Sequence, residues 1–225
     1  MRRVWIAYAA TLSVTAAVSV LSIGAETAIA AEVAAAPPPA VPIETVKTYD
    51  VRGTTLDQLR GEVFSRGPMD RVKGQRFAGW TDWEIMWRPD YEQTAHDCRV
   101  RKITTETHVT YTLPRWVDEA KAPPPLATAW NLFASSLTEH ELGHGRLALE
   151  LSQRMEYAMA AIPPQPSCAE LEQKINALGT HMIDADDTQE AYDRRTSHGA
   201  SQGALFPRVL ARGAGTTPPR TVVTE

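Results

Sequence analysis

Three side chains in the middle of the chain have the types and spacing for metal-assisted hydrolysis. His140, Glu141 and His144 stand as HExxH in the segment Leu137-Thr-Glu-His-Glu-Leu-Gly-His-Gly145. On a helix, residues four apart stack on one face with Cβ atoms about 6 Å apart, so both imidazoles can reach one ion. Glu141 then lies where it can accept a proton from water that the ion activates, as in zinc peptidases. The flanking sequence supports the helix: Leu137, His140, His144, Leu147, Leu151, Met155 and Ala158 recur at three- and four-residue steps. That register puts both histidines on the inward stripe. A surface helix carrying two incidental histidines would have no need of the glutamate or of this register.

A catalytic zinc takes three protein ligands and water, so one ligand must come from elsewhere. The extension HExxHxxGxxH fails, because Leu147 occupies its glycine position and Glu150 its third histidine. The motif helix is expected over Leu126–Ala161, with Gly143 inside it at about 1 kcal/mol against alanine. Gly143 would give substrate or a facing strand room to approach. Pro163-Pro164-Gln-Pro166 ends the helix. Ser167 and Glu170, in capping-box spacing, open a second one with the stripe Leu171, Ile175, Leu178, Met182, Ala185, Tyr192 and Thr196. A short turn between two such helices predicts an antiparallel pair. His144 is about 27 Å from that turn along the axis. Glu170, Glu172 and His181 lie too near the turn to reach it.

The matching height on the second helix falls around Asp186, Asp187, Glu190 and Asp193. Projection at about 100° per residue keeps Asp186 and Asp193 near the inward face. A helix ending near Arg195 would return His198 to the metal through the turn at Gly199. Asp193 and His198 are therefore the two candidates for third ligand, and the spacing does not choose between them. Whichever of Tyr192 and His198 does not bind metal can donate to the oxyanion. Tyr192 reads equally well as a packed tyrosine on the helix stripe.

The remaining elements must hold that helix. Ile43–Val51 reads as a first strand, and Thr55 with Gln58 caps a helix to about Ser65, stopped by Gly67-Pro68. Trp83, Ile85 and Trp87 alternate with Glu84, Met86 and Arg88, which predicts a strand whose aromatic face packs into a core. After a loop over Asp90–Asp97, a second strand runs from Cys98 to Leu113 and stops at Pro114. Ile103, Thr105, Thr107, Val109, Tyr111 and Leu113 share its inner face. Lys102, Thr104, Glu106 and His108 share the wetter one. His96 and His108 read as surface residues. The edge of the Cys98–Leu113 strand is expected to hold an extended peptide by pairing. The fold class is α+β: a short helix and a small antiparallel sheet packed on a long antiparallel helix pair that carries HExxH, a zincin-like arrangement.

Composition bounds the rest. The chain has 225 residues, 43% of them hydrophobic, and a net charge of −4 without a basic run, which excludes a nucleic-acid partner. Arg2 and Arg3 lead an uncharged run, Val4–Ala25, and Ala28-Ile29-Ala30 offers a cleavage site, so residues 1–30 read as a signal peptide. Left uncleaved, it would anchor the protein to a membrane. Residues 31–42 are an Ala/Pro linker, 43–204 the domain and 205–225 a flexible tail. Export to the periplasm or the medium favours a disulfide between Cys98 and Cys168.

Several segments together resemble a known family: HELGH at 140–144, Cys168 just after a proline turn, and YDRRTSHGASQGA over Tyr192–Ala204. GWTDWEIMW and CRVRKITTETHVTYTLPRW resemble its middle part. The family is a bacterial exported domain of unknown function described as a predicted secreted zinc-dependent protease. The likeness spans about residues 43–204. It implies metal and base positions at His140, Glu141 and His144, and a second signature at Tyr192, Asp193, Thr196 and His198. The expected function is an exported zinc metallopeptidase acting on a peptide or protein substrate, with cell-wall peptide or amide bonds as a variant. The alternative is a non-catalytic envelope binding module, with or without structural zinc.

Overall fold

The computed structural model describes residues 42–206 apart from Lys73. The expected signal peptide, nearly all of the linker and most of the tail lie outside the described residues. The fold is α+β, with strands β1 (Ile43–Val51), β2 (Met69–Asp70), β3 (Gln75–Arg76), β4 (Trp80–Gln93) and β5 (Cys98–Trp116). The helices are α1 (Leu56–Arg66), α2 (Pro124–Ala160), α3 (Cys168–Asp184) and α4 (Thr188–Thr196). One sheet has the order β1-β5-β4, and β2 pairs with β3 in a separate antiparallel ribbon. No helix among the described residues is long and apolar enough to cross a membrane.

The chain divides into two compact units, and β4, β5 and α2 each contribute to both. The first unit takes Trp83–Val109 and Ala148–Asp186. Its core joins Ile85, Trp87 and Ile103 from the strands to Leu151, Met155 and Met159 of α2 and Leu171, Ile175 and Ile183 of α3. Each such side chain removed from water contributes about 1.5–3 kcal/mol. The Trp83, Ile85, Trp87 face is a packing face, and the Trp87 indole N–H is satisfied by Asn176 Oδ1 at 2.9 Å. Cys98 and Cys168 form the expected disulfide. Beside it, Cys98 and Gln165 exchange backbone hydrogen bonds of 2.8 and 2.9 Å, which pins the proline-rich connection between α2 and α3.

The second unit takes Glu44–Asp82, Thr110–Leu147 and the chain from Asp187 onward. Val51, Leu59 and Val63 pack there with Trp116, Leu126, Trp130, Phe133 and Leu137. Phe206 closes this core at 4.0 Å from the Phe133 ring. Thr55 caps α1 as expected, its hydroxyl accepting from Gln58 N–H at 3.3 Å. The Gln58 side chain reaches back to Thr54 N–H at 2.9 Å.

Four expectations need correction. Pro114 does not stop β5, which continues to Trp116 and is tied by Val117 N–H to Val51 O at 3.1 Å. A proline is tolerated in a strand where its position needs no donor. β4 is longer than expected, running through Pro89 to Gln93; as an edge strand it can accept a residue without an N–H. β5 is the central strand, so both its edges are already paired and it cannot take a peptide by edge addition. Finally, the helix expected to run unbroken past Tyr192 is two helices, interrupted at Ala185–Asp187. Asp184, Asp186 and Asp187 explain the break. Carboxylates are unfavourable at a helix C-terminus and favourable at an N-terminus, so the same acidic cluster ends α3 and starts α4. Asp186 is held by Arg154 at 2.9 Å, within the first unit and away from any ligand role.

Candidate metal centre

Every residue of the site belongs to the second unit. α2 brings His140 and Glu141 into it almost fully buried, at 4% and 5% exposure, with His144 one turn later. α4 brings Asp193. Its Oδ1 lies 3.2 Å from His140 Nε2 and 3.2 Å from His144 Nε2. Among the described residues, these three are the group whose donor atoms converge closely enough to hold a metal ion. Tetrahedral bonds of about 2.0–2.1 Å put donors roughly 3.3 Å apart, so both Asp193 separations fit a zinc-sized ion.

The other ring nitrogens are also occupied. His140 Nδ1 lies 2.9 Å from Gln202 Oε1, and His144 Nδ1 lies 2.6 Å from Gln189 Oε1. With each Nδ1–H donated to an amide oxygen, a neutral imidazole presents its Nε2 lone pair toward Asp193. Two lone pairs and a carboxylate oxygen then face one another with no proton between them. A positive charge between them, a proton or a metal ion, would relieve that conflict. Burial alone would lower the His144 pKa, but the hydrogen bonds and charge of Asp193, with Gln189 and Glu141, outweigh it and raise it, so positive charge is favoured between this imidazole and the carboxylate. Burial would raise the Asp193 pKa, yet the two histidines drive it well below the usual carboxylate range.

Glu141 stands apart from the three donors. Thr81 Oγ1 donates to Glu141 Oε2 at 2.6 Å and lies 3.2 Å from the Glu141 carbonyl oxygen. Burial raises the Glu141 pKa, and the Thr81 bond and the two imidazoles oppose the rise. Gly79 makes the arrangement possible, because a Cβ there would sit 2.5 Å from Glu141 Oε1. Tyr192 stacks on His140 at 5.1 Å and meets the His144 ring edge-on at 5.0 Å. Its hydroxyl lies 3.1 Å from Gln202 Nε2. Gly143 is the room it needs: a Cβ on Gly143 would lie 2.1 Å from Tyr192 Oη. The space expected for a substrate or strand at Gly143 is thus filled by this phenol.

His198 is placed differently from Asp193. Its side chain is 63% exposed, and Nδ1 is 3.4 Å from Asp193 Oδ2, whereas Oδ1 is the oxygen paired with the two Nε2 atoms. It meets the carboxylate and is not among the converging donors. The chain reaches it through consecutive left-handed residues, Ser197 (φ 50°), His198 (φ 52°) and Gly199 (φ 80°). This turn seats Gly199 against the His140 ring and delivers Gln202 to His140 Nδ1.

A family described as a bacterial protein of unknown function, DUF922, matches residues 46–199. The chain belongs to this family. No curated protein and no solved structure matches the chain. The DUF922 segment includes the three donors, Glu141, Thr81 and Gln189, and ends before Gln202. Four residues of the centre were not singled out by sequence reasoning: Gly79, Thr81, Gln189 and Gln202. Gln189 had a signal, since it lies one helical turn before Asp193 and shares its face. Thr81 had none, because only the approach of β4 to α2 explains it.

Proposed function

We propose that this DUF922 protein is an exported zinc-dependent peptidase. The observation that carries the reading is the pair of 3.2 Å separations joining His140 and His144 to one oxygen of Asp193, with the buried Glu141 carboxylate alongside. Two imidazoles and one carboxylate suit zinc and leave a coordination position open, as hydrolytic sites do and closed structural sites do not. His140, His144 and Asp193 would hold the ion, which when bound supplies Lewis acidity and lowers the pKa of water toward about 7. Asp193 is the third ligand in this reading, and His198 fixes the carboxylate through Oδ2.

Glu141 takes the proton of the attacking water and returns it to the leaving amine. Thr81 keeps that carboxylate aimed and favours its ionised form against the effect of burial. Tyr192 donates its hydroxyl to the developing oxyanion, its ring fixed by His140 and its oxygen by Gln202. With β5 paired on both sides, β4 is an edge strand of the sheet among the described residues, and Thr81 links it to Glu141. An extended peptide added there would run past the general base. The disulfide supports an oxidising compartment, periplasmic or extracellular. Cell-wall peptides are substrates within the same chemistry.

The test is metal content and peptidase turnover of wild type and Glu141→Gln. One zinc per chain is expected in both, with turnover reduced about 10²–10⁴-fold in the variant. Equal turnover in the two proteins removes Glu141 as base, and a wild type without bound metal leaves a binding module.

A further inference from the structure

We propose that Gln189 and Gln202 are positioning residues that lock His144 and His140 in the Nδ1–H form, and so set how tightly the three donors hold zinc. The proposal rests on the metal centre described above and does not need the peptidase step. Imidazole has two neutral tautomers, and only one leaves Nε2 free to bind metal. Which one forms depends on what faces Nδ1.

For His144 the geometry decides. Gln189 Nε2 lies 3.3 Å from the backbone carbonyl oxygen of His144, which can only accept. The amide nitrogen must therefore face that carbonyl, and Oε1 must face the ring, 2.6 Å from Nδ1. Oε1 is itself only an acceptor, so Nδ1 carries the hydrogen. For His140 the amide could turn over, because the second partner of Gln202 is the Tyr192 hydroxyl, which both donates and accepts. The packing of Gly199 on the ring and the 2.9 Å contact from Nδ1 to Oε1 hold the orientation that frees Nε2.

The two glutamines do this without adding charge. A carboxylate in either place would also accept from Nδ1–H, but would add a negative charge behind the ligand. Amide acceptors leave Asp193 as the only anionic donor among the three. Both glutamines arrive on short devices tied to the donors. Gln189 sits one turn before Asp193 on α4, and Gln202 follows the left-handed run Ser197–Gly199.

The experiment is zinc affinity by chelator competition, paired with 15N NMR of the histidine rings in zinc-free wild type at mildly alkaline pH. Gln189→Met and Gln202→Met keep the side-chain length and lose the acceptor. Each is expected to weaken zinc about ten- to a hundred-fold. Gln189→Glu and Gln202→Glu keep the acceptor and are expected to hold zinc at least as tightly as wild type. The NMR spectra should show both rings as Nδ1–H. Methionine variants that bind zinc like wild type, or glutamate variants as weak as the methionine ones, would overturn the proposal. If wild type binds no zinc, the metal reading fails by itself, and the ring tautomers decide the glutamine assignment: Nδ1–H upholds it and Nε2–H ends it. The tautomer measurement needs no variant, so a methionine variant that fails to fold leaves the proposal decidable.

Discussion

Gly143 shows how one missing side chain serves the site. Alanine is the better helix former by about 1 kcal/mol, so Gly143→Ala would stabilise α2 if nothing stood opposite. Tyr192 does stand opposite, trapped between the His140 ring and Arg195, whose guanidinium lies 5.6 Å from the phenol centroid. A Cβ 2.1 Å from its oxygen must push it aside, and overpacking of this kind costs about 1–3 kcal/mol. Gly143→Ala is therefore expected to lower stability by about 1 kcal/mol in chemical denaturation, against the propensity scale. Thr81 offers a separate test. Thr81→Val keeps the shape but removes the donor to the buried Glu141 carboxylate, a hydrogen bond to a charged group of about 1.5–3 kcal/mol. Turnover should fall about ten- to a hundred-fold while zinc content stays unchanged; a valine variant as active as wild type would leave Thr81 without a role in aiming the base.

At the scale of elements, what was legible followed local rules. The HExxH stripe gave α2, the Thr55 and Ser167 caps gave the starts of α1 and α3, and alternation gave the aromatic face of β4. What was not legible depended on neighbours. Pro114 reads as a stop unless the pairing around it is known, and the order β1-β5-β4 is not written in any one strand. Helix height narrows the third ligand to Asp193 and His198 only on the premise of one continuous helix, which the break between α3 and α4 removes. The acidic cluster that divides α3 from α4 stands in the sequence, but a helix C-terminus followed at once by an N-terminus does not interrupt the apolar stripe that periodicity reads. The turn after α4 is the most demanding element, with three residues in the left-handed region. Gly199 is the one suited to it, and a Cβ there would also lie 2.9 Å from His140 Cγ. Since a left-handed residue with a Cβ costs about 1–2 kcal/mol, Gly199→Ala should destabilise the protein by at least that much. It should also weaken zinc, because the same turn carries Gln202. Denaturation and zinc titration of one sample check both, and a stability loss with unchanged zinc affinity would uncouple the turn from the metal centre.

For the molecule as a whole, the disulfide and the candidate metal site belong to different units. The metal centre lies in the second unit, while the disulfide lies in the first. The cross-link joins positions 70 apart in sequence, and the loop it closes contains all of α2, including HExxH. In the chain-entropy model a loop of that length contributes roughly 4 kcal/mol by restricting the unfolded chain, a large part of the stability of an ordinary domain. Changing both Cys98 and Cys168 to Ala should therefore lower the unfolding free energy by several kcal/mol in the metal-free protein. Because all three donors lie in the other unit, the folded variant should still bind one zinc per chain. If the three donors hold zinc in the native state as proposed, excess metal should recover part of the lost stability in proportion to the logarithm of its concentration. Thiol titration of exported wild type completes the test: no reactive thiols are expected, and two would mean that the cross-link is absent where the protein works.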